Sequence, residues 1–112
     1  MENIKSSSMK NITDIYDMLI SFYNPMGIEN EILLMKYLQN IPFEQVNQHK
    51  EIFFKILREL MYSHIDDFYC VNEINIIEFE NFVKWLNEYK TNFSLKENEF
   101  IDGVIAVLLC EY

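Results

Sequence analysis

The chain has 112 residues, half of them hydrophobic and 24% charged, and its 18 Asp and Glu against 9 Lys and Arg give a formal net charge of −9. This composition is that of a folded chain of single-domain size and excludes a disordered one. The negative charge argues against binding to a phosphate backbone, so we expect no nucleic-acid partner. The longest uncharged run near the C-terminus, residues 103–110, is far shorter than the about 20 residues of a membrane-spanning helix.

The first ten residues differ from the rest of the chain. They contain three consecutive serines and show no apolar periodicity, so we interpret 1–10 as a flexible lead and 11–112 as a single helical domain. No apolar core with a small-residue cleavage site is present there, which predicts that no signal peptide is made and that the protein stays in the cytoplasm. In that compartment Cys70 and Cys110 are expected to be reduced thiols.

The fold class follows from the scarcity of turn residues. The chain has only two Gly and two Pro, whereas hairpin-rich folds need these residues at their turns. We therefore predict an all-α protein, a compact bundle of about five helices. One short extended segment near 68–72 is the most β structure that the sequence allows.

The first two predicted helices cover residues 12–23 and 28–40. The first is amphipathic, with Asn11 or Thr13 near its N-cap. The second has so many apolar residues that we expect it to be buried on most sides. It ends at Ile41, because a residue that precedes proline disfavours helical geometry.

The third predicted helix covers residues 48–65. Its apolar stripe contains Phe53, Leu57, Leu60 and His64, opposite a solvated face that includes Tyr62. A connector over residues 68–74 follows this helix.

The last two predicted helices begin with capping-box patterns. In this pattern a side chain at the N-cap and a Glu three residues later each satisfy a free backbone donor, as for Asn75 with Glu78 and for Ser94 with Glu97. The C-terminal helix also carries Gly103, Ala106 and Cys110 beside its apolar stripe. Since small residues allow close helix approach, we expect this helix at the centre of the bundle.

Three residues have the side-chain types of a metal or acid–base site. His64, Asp66 and Asp67 lie together in the sequence, but a zinc site usually draws three or four ligands at diagnostic spacing, and no HExxH or CxxC motif accompanies them. The favoured interpretation is a core histidine at a helix C-terminus followed by two aspartates that end the helix. The sequence thus predicts no metal, no cofactor and no catalytic residue, and neither cysteine shows the surroundings of a thiol nucleophile.

The negative charge is concentrated in the C-terminal part of the chain. Residues 1–65 carry a net charge of −2 and residues 66–112 carry −7. Residues 66–80 contain no Lys or Arg, and their acids are Asp66, Asp67, Glu73, Glu78 and Glu80. Tyr69 lies in the same segment, while Tyr62 and Trp85 lie off the apolar stripes of their helices, as interface anchors do.

These eight residues predict a surface for a basic protein partner, in which the acids steer association and the aromatic residues provide contact area. We expect a non-catalytic binding protein, most concretely an immunity or antitoxin protein that covers the cationic active site of a nuclease toxin. Two alternatives stay open: a phage or viral inhibitor that mimics nucleic acid, and an adaptor or chaperone that grips an amphipathic helix in an apolar groove, with Met35 or Phe54 in its wall. The sequence leaves open whether the protein is a monomer or a dimer.

Overall fold

The computed structural model describes residues 11–22 and 26–109, and the predicted all-α fold is confirmed for them, since they contain no strand. The helices are α1 (Ile12–Ile20), α2 (Ile28–Leu38), α3 (Phe43–Gln48), α4 (Lys50–Asp67), α5 (Ile76–Tyr89) and α6 (Leu95–Leu108). Two short 3-10 helices, Phe68–Cys70 and Lys90–Asn92, precede and follow α5. The lead predicted for residues 1–10 and the thiol of Cys110 lie outside the described residues.

The helix with the most neighbours is α4. It packs against α1, α2, α3 and α6, whereas α6 packs mainly against α4 and α5. The predicted stripe of α4 is confirmed, because Phe53, Leu57 and Leu60 are fully buried and His64 is 1% exposed. The C-terminal helix was expected at the centre, but α4 occupies that position because it is the longest helix and is buried at positions along its whole length.

The close helix contact expected at the small residues of α6 does not occur at Gly103. Gly103 is exposed, and a Cβ atom added to it would meet no other atom within 4 Å. The buried face of α6 instead consists of Ile101, Val104, Ile105 and Leu108.

In the N-terminal half, the cap of α1 is confirmed. The side chain of Asn11 accepts a hydrogen bond from the backbone N–H of Asp14 at 2.9 Å. Helix α2 was expected to be buried on most sides, but Glu29, Leu33 and Lys36 lie on an exposed face. Its buried face follows ordinary helical spacing and includes Glu31, whose side chain is completely buried.

Helix α3 was not predicted. Pro42 disfavours helix at the residue before it, but it occupies the N-cap position of α3, where its missing N–H costs nothing. The short helix that follows buries Val46 and packs against α4.

The segment near 68–72, for which the sequence allows at most one short extended piece, contains no strand, whereas the predicted capping box at Asn75 is wrong. The chain continues from α4 into the 3-10 helix Phe68–Cys70 and then turns at Asn72, whose side chain accepts hydrogen bonds from the N–H groups of Ile74 and Asn75. The Asn75 side chain accepts from the N–H of Asn72, so it does not cap α5. Short-range hydrogen bonds of asparagine thus decide the path of this connector.

The capping box of α6 is confirmed. Ser94 Oγ accepts from the N–H of Glu97 at 3.2 Å, and Glu97 Oε1 accepts from the N–H of Ser94 at 2.8 Å. We expect Ser94→Ala to lower the free energy of unfolding by about 1 kcal/mol, because one backbone donor loses its partner. Denaturant unfolding followed by circular dichroism measures this change. Ser94→Asp, which restores an acceptor, should recover most of it; equal losses in both variants would contradict the role of the cap.

Candidate functional site

The residues predicted to contact a partner are mostly exposed. Tyr62 and Tyr69 are 47% and 78% exposed, and Asp66, Glu73 and Glu80 are also exposed. Their positions in the sequence place them at the C-terminal end of α4, in the connector and in the first turns of α5. Glu78, in the first turn of α5, is partly buried.

Two of the predicted contact residues depart from this description. Asp67 is only 7% exposed, and its carboxylate accepts a hydrogen bond from the N–H of Gly27, so it does not belong to the exposed set. Trp85 is partly buried between Phe82 and Tyr89, with ring centroids 5.4 Å and 4.4 Å away. Its stacked position makes Trp85 part of the aromatic core more than an anchor for a partner.

Aliphatic residues in the same stretch of the sequence as these acids are also exposed. Sequence reasoning did not identify these aliphatic residues. Six of the nine large hydrophobic side chains that are exposed in the described residues fall within residues 62–77. They are Tyr62, Ile65, Tyr69, Ile74, Ile76 and Ile77. We call these six residues together with Asp66, Glu73 and Glu80 the 62–80 surface.

Among the aliphatic residues of this surface, Ile77 could have been recognised from the sequence. It falls off the stripe of α5, of which Phe79, Phe82, Val83 and Leu86 are buried. Ile74 precedes that helix and is 82% exposed. Such an accumulation of exposed apolar side chains is typical of interaction sites, whereas single exposed ones are ordinary.

The electrostatics of the 62–80 surface have one sign. The sequence contains no Lys or Arg between Arg58 and Lys84. The one histidine in that interval, His64, is buried. Because screening at physiological salt extends over about 8 Å, the exposed acids act on a partner mainly at close range.

A second polar site lies in the core, where α2 meets α4. Glu31, Ser63 and His64 are at most 1% exposed, and Asp67 lies one helical turn beyond Ser63. The hydroxyl of Ser63 donates to Glu31 Oε2 at 2.9 Å, and His64 Nδ1 lies 3.0 Å from Glu31 Oε1. Four polar side chains thus share one buried cluster, which we call the Glu31 cluster.

This cluster also holds the segment that leads into α2. Ser63 Oγ accepts from the N–H of Met26 at 2.9 Å, and Asp67 Oδ2 accepts from the N–H of Gly27 at 3.0 Å. Gly27 is the N-cap of α2 and has φ of 93°, a left-handed conformation that favours glycine. In the described structure, the side chains that accept from the N–H groups at this end of α2 come from the C-terminal end of α4.

The Glu31 carboxyl is electrostatically perturbed. Burial raises its pKa above the ordinary value of 4.5, and the neighbouring Asp67 acts in the same direction, while the hydrogen bonds from His64 and Ser63 act against this shift. His64 Nε2 is buried without a hydrogen-bond partner in the described structure, and the imidazole ring packs 4.6 Å from the Phe79 ring. The prediction of a core histidine at the C-terminal end of its helix is confirmed.

The structure separates Asp66 from the other two residues that resembled a metal or acid–base site, since His64 and Asp67 both belong to the Glu31 cluster. Asp66 faces solvent, whereas His64 and Asp67 are buried and bonded to different groups. In the part of the chain that is described, no three His, Cys, Asp or Glu side chains come together as metal ligands. Cys70 is an exposed free thiol.

Met35 and Phe54, which the adaptor alternative places in the wall of an apolar groove, are packed against other residues of the chain. Met35 is 1% exposed. Phe54 is partly buried and lies within 6 Å of Phe53, Phe93 and Phe100, measured between ring centroids. Tyr89 lies in the same aromatic cluster, and burial raises the pKa of its hydroxyl to about 12.

Comparison with protein-family models, with curated proteins and with solved structures finds no match to this chain. Within the described residues, no helix has the length and apolar character needed to cross a membrane. The 62–80 surface and the charge of the chain are the features of this protein that bear on its function.

Proposed function

We propose that this protein is a non-catalytic binding protein that neutralises a basic protein partner through the 62–80 surface. The most concrete form of the proposal is an immunity or antitoxin protein that acts in the cytoplasm and blocks the active site of a nuclease toxin. One observation carries it: exposed aliphatic and tyrosine side chains and exposed carboxylates occur together in residues 62–80, within a part of the sequence that has no Lys or Arg from residue 59 to residue 83.

The two kinds of side chain serve different steps of binding. Carboxylates accelerate the encounter with a cationic surface, such as a site that holds phosphates, and their effect is mainly on the association rate. Apolar side chains such as Ile74 and Ile77 are removed from water when the complex forms. This burial stabilises the complex and slows its dissociation. A surface that has both therefore suits a tight inhibitor better than a purely acidic surface would.

The partner can be sought in the genome. We expect the neighbouring upstream gene to encode a large secreted protein with a basic C-terminal domain, and we expect that domain, when purified, to form a stable complex with this chain and to lose its nuclease activity. Size-exclusion chromatography and a nuclease assay measure the two effects. If that gene belongs to an unrelated operon, or if the domain remains active with excess protein, the immunity form of the proposal is wrong.

Charge reversal tests the surface itself. Asp66→Lys combined with Glu73→Lys should slow association with the basic domain by about tenfold at low salt, with a smaller effect at high salt. Stopped-flow measurements give the association rate. The matched control is Glu44→Lys combined with Glu99→Lys, which makes the same change in net charge at two exposed acids outside the surface. Equal slowing by both pairs would show that only net charge matters and would contradict a localised surface.

A further inference from the structure

A groove of about 400 Å³ lies between α1 and α4, apart from the residues of the 62–80 surface. Its apolar wall includes Tyr16, Leu19, Phe22 and Met26, and α4 contributes Lys55 and Arg58 to the other side. Ile20 also lines the groove and is 63% exposed. The volume is within the range of about 300–1,000 Å³ typical of small-molecule sites.

Among the described residues, no carboxylate forms a salt bridge with either of the two cations of this groove. The Lys55 ammonium lies 6.0 Å from the centroid of the Tyr16 ring, and the Arg58 guanidinium carbon lies 5.8 Å from that of Phe100. Neither forms a salt bridge with any acid among the described residues, although Glu59 lines the same groove. Both side chains therefore retain hydrogen-bond donors for an anion, while the aromatic contacts limit their freedom.

The sign of the charge here is opposite to that of the rest of the molecule. Lys55 and Arg58 against Glu59 give the groove a local charge of +1 in a chain of net charge −9. A large polyanion, such as an acidic protein or a nucleic acid, would be repelled by the remaining surface, whereas a small monoanion interacts only over the Debye length of about 8 Å. Charge complementarity together with an apolar wall thus selects one kind of occupant.

We propose that the α1–α4 groove binds a small amphiphilic carboxylate, with its anionic head at Lys55 and Arg58 and its hydrocarbon part against Tyr16, Leu19 and Phe22. The charged head is held by charge-assisted hydrogen bonds, and the chain is held by the apolar area that it removes from water. This site goes beyond the proposed function, because it uses other residues and needs no basic partner.

Decanoate is the probe for this site. Isothermal titration calorimetry of the full chain at neutral pH should show saturable binding of one decanoate per chain below its micelle concentration. The double variant Lys55→Met and Arg58→Met keeps apolar stems of similar length without the charges, and we expect it to bind decanoate about tenfold more weakly. The matched control, Lys84→Met combined with Lys96→Met, removes two exposed cations elsewhere and should leave the affinity unchanged.

Three results would overturn this proposal. The first is the absence of saturable decanoate binding, and the second is binding that the double variant retains in full. The third is a dimer that forms through the groove and dissociates in the double variant, because the occupant of the groove would then be a second copy of the chain. Light scattering on the wild type and the double variant detects that dimer. The pair Asp66→Lys and Glu73→Lys should bind decanoate like the wild type, so the site can be tested whatever the outcome for the basic partner.

Discussion

Replacing Val104 by aspartate is expected to unfold the protein at neutral pH. Val104 is completely buried on the face of α6 that packs in the core. An unpaired carboxylate there costs several kcal/mol, which is comparable with the whole stability of a small domain, about 5–15 kcal/mol. The helical circular dichroism signal should fall to that of the denatured chain.

The adjacent residue provides the control for this prediction. Gly103 is exposed on the same helix, so Gly103→Asp introduces the same charge one position away with access to water. We expect that variant to keep the wild-type spectrum and to change the free energy of unfolding by less than about 1 kcal/mol. A folded Val104→Asp variant with similar stability would show that α6 is not packed as described.

The second large effect is expected at Glu31. Glu31→Ala leaves the hydroxyl of Ser63 without its acceptor and His64 without its Nδ1 partner, inside a core that excludes water. Breaking a buried polar pair by removing one member typically costs about 3–5 kcal/mol. Urea unfolding should show this loss, whereas Glu29→Ala, an exposed glutamate in the same helical turn, should cost less than about 0.5 kcal/mol.

The pH dependence of stability provides a second measurement on Glu31. Its pKa is raised in the folded state, first by burial, so the folded protein binds this proton more tightly than the unfolded chain does. The stabilisation from this group is fully present below the ordinary pKa of 4.5 and is lost as the pH rises through the folded-state pKa. The free energy of unfolding of the wild type relative to Glu31→Gln should therefore decrease as the pH rises above about 4.5. A difference that stays constant or increases would show that the pKa of Glu31 is not raised in the folded protein.

The helices whose faces differ in polarity could be predicted from the sequence. In α4 the stripe of Phe53, Leu57 and Leu60 repeats at helical spacing, and this pattern fixes which face is buried. Ser94 and Glu97 likewise form their capping box within four residues. Such local patterns depend little on the rest of the molecule, which is why they were predicted correctly.

The Glu31 cluster could not be predicted in the same way. A glutamate in a helix is usually exposed, and the hydrogen-bond partners of Glu31 lie 32 and 33 residues away in the sequence. Only the packing of α2 against α4 brings these side chains together. Asn75 shows the same limit over a short range in the sequence. Its side chain accepts a hydrogen bond from the N–H of Asn72 in a competing turn and therefore does not form the predicted cap.

For the candidate interface, the sequence by itself determined the acids: their number, their sign and the lack of cations between residues 59 and 83. It did not determine which of them face solvent or which apolar residues accompany them. Asp67 faces inward and accepts from the N–H of Gly27, whereas Ile77 is exposed because the opposite face of α5 is the one that packs in the core. Ile74 lies in the connector before that helix and is also exposed. Charge is a property of the chain, but exposure is decided by the tertiary structure, since it depends on what each side chain packs against.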